Sequence, residues 1–547
     1  MKSMLALLCL TLVTATAAAR PLTKAQKLED FNYLVSVINA NYGPLEYKMS
    51  AKVVDIANLN IHFQNLVEST TSNRDFYYTL VKYVAAYKDG HFGIRVPSTV
   101  IKSCAVVTDL VDGKVLITGI DRTKVTKEQF SFEIGDEVVN IDGQPIKDYL
   151  DTTSLYVGSG SELSTRRTAA WTVFFRRAAR LPVPAATNVK FEIRRGTSET
   201  IEAGEMKWHV EGRGLDQMPS PTLEFANFNL SRGFVSHGSS DFNDLSNRSF
   251  QDFVHPDADV PYACSGTTRI AIPEGASVIM KEPFVAYYHA TPKGNVGYLR
   301  IPHYSPEEQA GKSELQVTYE WLAQYEFAVR ELEKNTVGLV IDQDHNCGGS
   351  VWIVHKMVSL FMDQPFRQTH FELLATKESF IDFGKWVDAT PKNTLDHEAV
   401  SKVLNLIETA WTSGISRLTP KIAIDGYATM LPNPIRYTKP VVMLIDEMAG
   451  SGGDAFPAMM KGLGRVKLFG QTTSGLCGHV QMYPAGLPNS QVKFSLTKSL
   501  FYRPDGVAIE NNGAVPDQFY TIKRDDVMYG FKEYQKAYLA YLSQFLP

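Results

Sequence analysis

The chain has 547 residues, with 55 basic and 59 acidic side chains for a net charge of −4, and is 44% hydrophobic and 11% aromatic. At about 100–200 residues per domain, this length predicts about three domains with sizeable cores. The near-neutral charge without a Lys/Arg tract argues against an electrostatic nucleic-acid binder, and five cysteines are too few for a disulfide scaffold.

Residues 1–19 read as a secretory signal peptide. Met1-Lys2-Ser3 is a positive start, Met4 to Val13 an apolar run, and Ala15 to Ala19 a small-residue cleavage region. Cleavage near Ala19 predicts a secreted or periplasmic protein. No later stretch reaches the about 18 apolar residues of a membrane span, so no stable membrane anchor is expected. Cys104, Cys264, Cys347 and Cys477 remain after cleavage and allow zero, one or two disulfides.

Residues 20–100 form an N-terminal helical region. Leu28, Phe31, Leu34, Val35 and Ile38 repeat at helical spacing, as do Phe76, Leu80, Val81 and Val84. Asn73 reads as an N-cap and Asp89-Gly90 as a stop, with His91 immediately after. Residues 101–200 switch to short β segments, Ala105–Val107, Lys114–Thr118, Glu137–Ile141 and Val189–Ile193, separated by Asp-Gly turns. Within them, the segment from Phe132 to Pro145 resembles the central signature of PDZ domains. That resemblance implies a β-module whose exposed strand edge captures an extended peptide. Arg166–Arg180 carries five arginines among Trp171, Phe174 and Phe175 and reads as a solvated helix face with an apolar back.

Residues 201–290 are rich in Ser, Gly, Asn, Asp and Phe and weakly periodic. They read as a loop-rich, regulatory segment in which His237 and His255 are surface histidines. Asn229-Leu230-Ser231 and Asn247-Arg248-Ser249 fit glycosylation acceptors. From residue 291 to 547 the pattern is α/β. Asn295–Ile301, Val337–Ile341, Val441–Ile445 and Val466–Phe469 read as strands. Glu307–Glu333 and residues 351–362 read as helices, so a mostly parallel sheet covered by helices is expected.

Three segments could carry chemistry. In Asp446 to Phe456 a buried strand runs into a small-residue turn holding Ser451, with a helix directly after it. This exposes a hydroxyl and aims helix-start N–H groups beside it, as a serine nucleophile requires. A tight strand–helix turn that needs only small residues explains the segment equally well. In Asp342 to Ser350, Gly348-Gly349 lets backbone amides approach a ligand. A phosphate loop is the rival, but the Gly-Lys-Ser/Thr ending is missing. In Arg503 to Asp517, Glu510 lies between a strand and a turn and could orient a base or be a plain surface acid. The base could be His91, His345, His479 or a lysine, and spacing does not choose among them.

These segments, with the PDZ-like region and Gly297 to Pro302, resemble the tail-specific, carboxy-terminal processing serine peptidase family. The resemblance implies a crotonase-like (ClpP/crotonase) α/β catalytic core with the N-terminal helical region and an inserted PDZ-like β-domain. Processing peptidases of this family use a Ser–Lys dyad, with the Lys in a Thr-Phe-Gly-Lys-Gly type motif. Here Leu476 stands at that position, in Thr472 to Gly478. The pattern is instead closer to the tricorn protease core and the chlamydial protease-like activity factor, which pair an early Asp-Gly-His with a late Glu before an Asn-x-Gly-x-x-Pro-Asp turn. Asp89-Gly90-His91 and Glu510 to Asp517 match both. The resemblance therefore implies an exported serine endopeptidase. Ser451 is its nucleophile, His91 the base and Glu510 the orienting acid, with an oxyanion hole from Gly452 and Gly348 or Gly349. It implies protein or peptide substrates, no cofactor or metal, a possible homodimer, an inhibitory role for residues 201–290, and a possible disulfide between Cys347 and Cys477. The competing readings are a catalytically silent peptide-binding module and a crotonase-type acyl-CoA enzyme, which the signal peptide does not suit.

Overall fold

Two fully buried strands lie at the centre of the molecule. Every residue of Gly338–Asp342 and of Val441–Ile445 is buried, as expected for strands covered on both faces. The computed structural model describes residues 21–547 except 197, 216–268, 308, 428 and 484. The two strands sit side by side in a seven-stranded sheet ordered Ser277–Met280, Val285–Thr291, Gly294–Arg300, Gly338–Asp342, Val441–Ile445, Lys467–Gly470, Gln518–Phe519. The first three strands pair antiparallel, and the remaining pairings are parallel.

The two-residue side-chain period of the strands divides the core. Leu339, Ile341, Val441, Met443 and Ile445 pack with Tyr325, Val329 and Leu332 of the helix Glu314–Asn335 and with Phe456 and Met459 of Gly452–Gly462. Val340, Val442 and Leu444 face the other way, onto Tyr534, Tyr538 and Leu542 of the helix Lys532–Ser543. Helix Glu314–Asn335 begins seven residues later than periodicity suggests. Gly311 takes φ +81°, and Ser313 caps the helix by accepting from the Gln316 N–H at 3.2 Å.

The second sheet orders its main strands as Val106–Val111, Lys114–Ile120, Glu137–Ile141, Asn188–Arg194, Ile201–Lys207, with helices Ile146–Ser154 and Glu162–Trp171 beside it. Its edge strand Val106–Val111 faces its own helix. The Thr108 hydroxyl donates to the Ala170 carbonyl at 2.7 Å. Arg167 grips both oxygens of Asp109 at 2.8 Å, and Trp171 Nε1 adds a bond at 3.0 Å. Side chains of this edge strand are thus tied to the domain's own helix. The arginine cluster also differs from a solvated helix face. Arg167 and Arg176 are buried, and Arg167 reaches across to Asp446 of the central sheet at 2.9 Å.

In the N-terminal region the helices are Lys24–Asn41, Leu45–Ser50, Ile56–Ser69 and Asn73–Ala85. Ser72, not Asn73, caps the last of them, accepting from Asp75 N–H. The Asn73 side chain instead accepts from the Leu22 N–H at 2.8 Å. The strand Gly93–Arg95, just after His91, pairs with Lys493–Thr497 and stitches this region to the core.

Within residues 201–290 the described portions are less loop-rich than their composition suggests. Ile201–Lys207 and His209–Glu211 are strands of the N-terminal half, and Ser277–Met280 and Val285–Thr291 belong to the central sheet. Residues 1–19, read as a signal peptide, and His237, His255 and the two segments that fit glycosylation acceptors lie outside the described residues. Among the described residues no helix is long and apolar enough to cross a membrane.

Ile341 is fully buried in the strand that leads to Gly348-Gly349. Ile341→Ala is expected to lower the unfolding free energy by about 2–5 kcal/mol, read as a lower midpoint in chemical denaturation.

Candidate active site

The parallel strands Gly338–Asp342 and Val441–Ile445 end side by side, and the loops after them carry Gly348-Gly349 and Ser451. In an open α/β sheet this carboxyl edge is where ligands bind. Ser451 holds φ 58°, ψ −116°, a left-handed conformation that costs a side-chain-bearing residue about 1–3 kcal/mol and collects at functional sites. The helix Gly452–Gly462 starts immediately after it.

The turn is anchored by Asp454. Its fully buried carboxylate accepts from Ser451 N–H at 3.0 Å, Leu476 N–H at 3.1 Å, Gly475 N–H at 2.9 Å and the Thr473 hydroxyl at 2.5 Å. Burial pushes this carboxyl up to about 7 against the pull of those four donors. Ser451 N–H also donates to the Leu476 carbonyl at 2.8 Å.

Asn346 fixes the glycine loop to the turn. Its carbonyl accepts from Gly450 N–H at 3.0 Å, its Oδ1 from Gly348 N–H at 2.8 Å, and its Nδ2 donates to the Ile301 carbonyl at 2.7 Å. Gly348 N–H is therefore engaged. Among the described residues, the N–H groups of Gly349 and Gly452 have no acceptor. They flank one space, since a Cβ added at Gly452 would lie 3.2 Å from Gly349 N. A Cβ at Gly348, where φ is +74°, would lie 2.6 Å from Ser451 Cβ and 2.9 Å from Gly452 N.

Asp446 joins the two loops from below. One oxygen accepts from His345 N–H at 2.6 Å and from Met448 and Ala449 N–H at 3.2 Å. The other takes Arg167 and Arg269, each at 2.9 Å. Burial pushes its carboxyl up, but Arg167 and Arg269 outweigh this and hold it well below the ordinary range. A cavity of about 590 Å³ opens beside this cluster, lined by Asp109, Arg166, Tyr520 and Phe531 among others. It holds none of Ser451, His91 and Glu510.

His91 reaches the same edge from the N-terminal region. A Cβ at Gly90 would lie 2.7 Å from Leu476 Cδ2, and one at Gly450 3.1 Å from Leu476 Cδ1, so the two loops meet on this side chain. Asp89 holds the His91 loop, with Oδ1 accepting from His91 N–H at 2.8 Å and Oδ2 from the Tyr42 and Thr497 hydroxyls at 2.8 and 2.7 Å. Burial lowers the His91 pKa, with Asp89 pulling it back. Its Nδ1 is buried without a partner.

Glu510 is fully buried. Asn511 N–H donates to the Gly475 carbonyl at 2.7 Å, which binds this turn to the loop after Ser451. Lys48 holds Glu510 Oε1 at 2.5 Å, while Oε2 is buried without a partner. Burial and then Asp89 push the Glu510 carboxyl up to about 8, against Lys48 and the Cys477 amide. Among the described residues no hydrogen bond joins Ser451, His91 and Glu510 directly. Their loops are brought together on residues 473–478.

Of the other predicted participants, His345 stacks on Trp171, with ring centroids 4.9 Å apart, and burial pushes its pKa down to about 3. His479 stands near His91, and burial and then Lys498 push its pKa down to about 4. Leu476 occupies the position of the dyad lysine, and Lys498 is committed to Glu378 and Asn41. Cys347 is disulfide-bonded, whereas Cys104 and Cys477 are free, so the implied Cys347–Cys477 pairing is not made. The Cys477 thiol instead donates to the Ser451 carbonyl at 3.5 Å, and burial pushes its pKa well up.

Sequence reasoning missed Lys48, Asn346, Arg167 and the roles of Asp446 and Asp454. Only Asp454 left a local signal, a Ser-x-x-Asp spacing at a helix start. Among the described residues no group of His, Cys, Asp and Glu could hold a metal ion. Asp454→Ala leaves several buried donors unpaired at about 1–3 kcal/mol each. The variant is expected to lose at least about 3 kcal/mol of unfolding free energy in denaturant titration.

Residues 295–519 match the sequence profile of Peptidase family S41, and residues 105–215 that of a PDZ domain. A Chlamydia pneumoniae protein is 27% identical over 549 residues, spanning 91% of this chain and 86% of its own. A protein of Chlamydia trachomatis serovar D is 27% identical over 568 residues, spanning 93% and 90%. The solved structure of mature CPAF complexed with lactacystin shares the fold with a TM-score of 0.76 at 22% identity, over 95% of this chain and 99% of that one. The chain thus carries a peptidase family S41 domain beside a PDZ domain and is a serine-type peptidase.

Proposed function

We propose that the protein is a serine endopeptidase that cleaves protein chains through an acyl-enzyme formed on Ser451. His91 is its general base and Glu510 its orienting acid. The observation that carries this reading is the convergence of three loops on residues 473–478. The nucleophile turn binds there through Asp454, the base loop through Leu476, and the Glu510 turn through Gly475.

The chemistry follows from the groups present. Ser451 Oγ attacks the scissile carbonyl while one ring nitrogen of His91 takes the hydroxyl proton, later returned to the leaving amine. Pairing of His91 Nδ1–H with Glu510 Oε2 satisfies two buried atoms that otherwise have no partner. Such bonds are often long or unformed without substrate. The charge growing on the imidazole favours the ionised form of Glu510. The N–H groups of Gly349 and Gly452 receive the oxyanion, and each such donor is worth about 10²–10³ in turnover.

A catalytically silent peptide-binding module is not favoured, because residues 295–519 match Peptidase family S41. Export is part of the proposal and rests on the signal-like residues 1–19. A mature N-terminus near Arg20 on the secreted protein is the expected result of N-terminal sequencing.

Ser451→Ala is expected to abolish peptide hydrolysis and labelling by a serine-directed acylating probe, with an unchanged thermal midpoint. Retained hydrolysis would sink the proposal. A further expectation concerns pH. Catalysis needs neutral His91, present above a pKa that burial sets below 6.5, and ionised Glu510, present above about 8. The later ionisation governs, so kcat/KM is expected to rise to a plateau above about pH 8. In Glu510→Gln the remaining activity is smaller and its ascending limb falls below pH 6.5.

A further inference from the structure

Lys48 belongs to the six-residue helix Leu45–Ser50 and is fully buried. An ammonium has three N–H donors, and each finds an acceptor: Glu510 Oε1 at 2.5 Å, Asn511 Oδ1 at 2.6 Å and the Lys88 carbonyl at 3.0 Å. The first two belong to the turn of the orienting acid. The third lies three residues before His91, at a position where Lys88 takes φ 52°.

The surrounding bonds repeat this pairing. Asn511 Nδ2 donates to the same Lys88 carbonyl at 2.9 Å and to the Gly160 carbonyl at 2.8 Å. Tyr47, next to Lys48, donates to the Glu510 carbonyl at 2.7 Å and accepts from Asn512 Nδ2 at 2.9 Å. The acid turn and the base loop are therefore connected through one small helix.

Burying a lysine is costly unless it is paired and fully hydrogen-bonded, and a buried ion pair is weak evidence for stability. This arrangement has a geometric result. Lys48 occupies one oxygen of Glu510 and leaves the other, Oε2, without a partner. We infer that Lys48 is a positioning residue for the hydrolytic reaction, setting the carboxylate plane of Glu510 and its register against the His91 loop. The inference rests on the Ser451–His91–Glu510 reading above.

Among the described residues, the groups facing Glu510 are Lys48 and Tyr47 from the small helix, Tyr42 and Asp89 from the base side, and Cys477 from the central loop. Lys48 is the only cation among them. Its loss therefore disfavours the ionised form of Glu510.

The test compares Lys48→Met, Glu510→Gln and the double variant, each as the full chain, by steady-state peptide hydrolysis across pH. Lys48→Met is expected to lower kcat about 10–100-fold, the usual scale for partners that orient a functional ligand. KM should stay within about twofold, and the ascending limb of kcat should move to higher pH. Added to Glu510→Gln, it is expected to change kcat less than about twofold, because both substitutions remove one function. The double variant removes both buried charges and carries the test if Lys48→Met alone does not fold. Wild-type kcat and pH profile in Lys48→Met overturn the inference. So does an equal further loss in the Glu510→Gln background, which is the mark of a merely structural role. Full activity of Glu510→Gln overturns instead the triad reading on which the inference rests.

Discussion

A single buried carboxylate holds the catalytic edge of this molecule in one piece. Asp454 takes two donors on each oxygen, and they come from the nucleophile turn and from the loop that follows the next strand. Thr473, one of these donors, accepts in turn from Ala514 N–H at 2.7 Å, which extends the tie to the turn after Glu510. Ser451 can hold a strained backbone because these neighbours over-determine it. Without Asp454 the nucleophile turn and the loop after the next strand would lose four of the bonds that join them.

The rest of the site follows from what this edge can reach. The base loop comes from a helical region that has no strand in the central sheet. It gains its position through the pairing of Gly93–Arg95 with Lys493–Thr497 and through Asp89, whose second oxygen is closed by Tyr42 and Thr497. The PDZ domain reaches the central sheet through Arg167, which spans Asp109 and Asp446. Its helix is thereby turned toward the underside of the nucleophile and glycine loops, where Trp171 stacks on His345.

The catalytic sheet was legible in the sequence because strands buried on both faces read as unbroken apolar runs, and Val441–Ile445 was assigned with its observed limits. Glycine turns after such strands marked the Ser451 turn and the glycine loop for the same reason: only small residues fit where Gly348 faces Ser451. Gly349 could not be separated from Gly348, because the distinction depends on which amide Asn346 occupies. Lys48 left no pattern, since its partner lies 462 residues away. Arg167 misled because a charged residue on a helix is usually solvated, and only the tertiary fold supplies Asp109 and Asp446. The strands on either side of residues 216–268 were obscured by weak alternation in partly exposed segments, such as Ile201–Lys207.

The distance along the chain between Lys48 and Glu510 also bears on when such an enzyme becomes active. Contacts of very large sequence separation form late, because chain-closure entropy must be overcome before they stabilise anything. During synthesis the base loop emerges early, the nucleophile turn much later, and the Glu510 turn later still. The strand Gln518–Phe519 and the helix Lys532–Ser543, which complete the sheet and cover one of its faces, come last of all. A partly made chain therefore carries individual pieces of a hydrolase without their common frame.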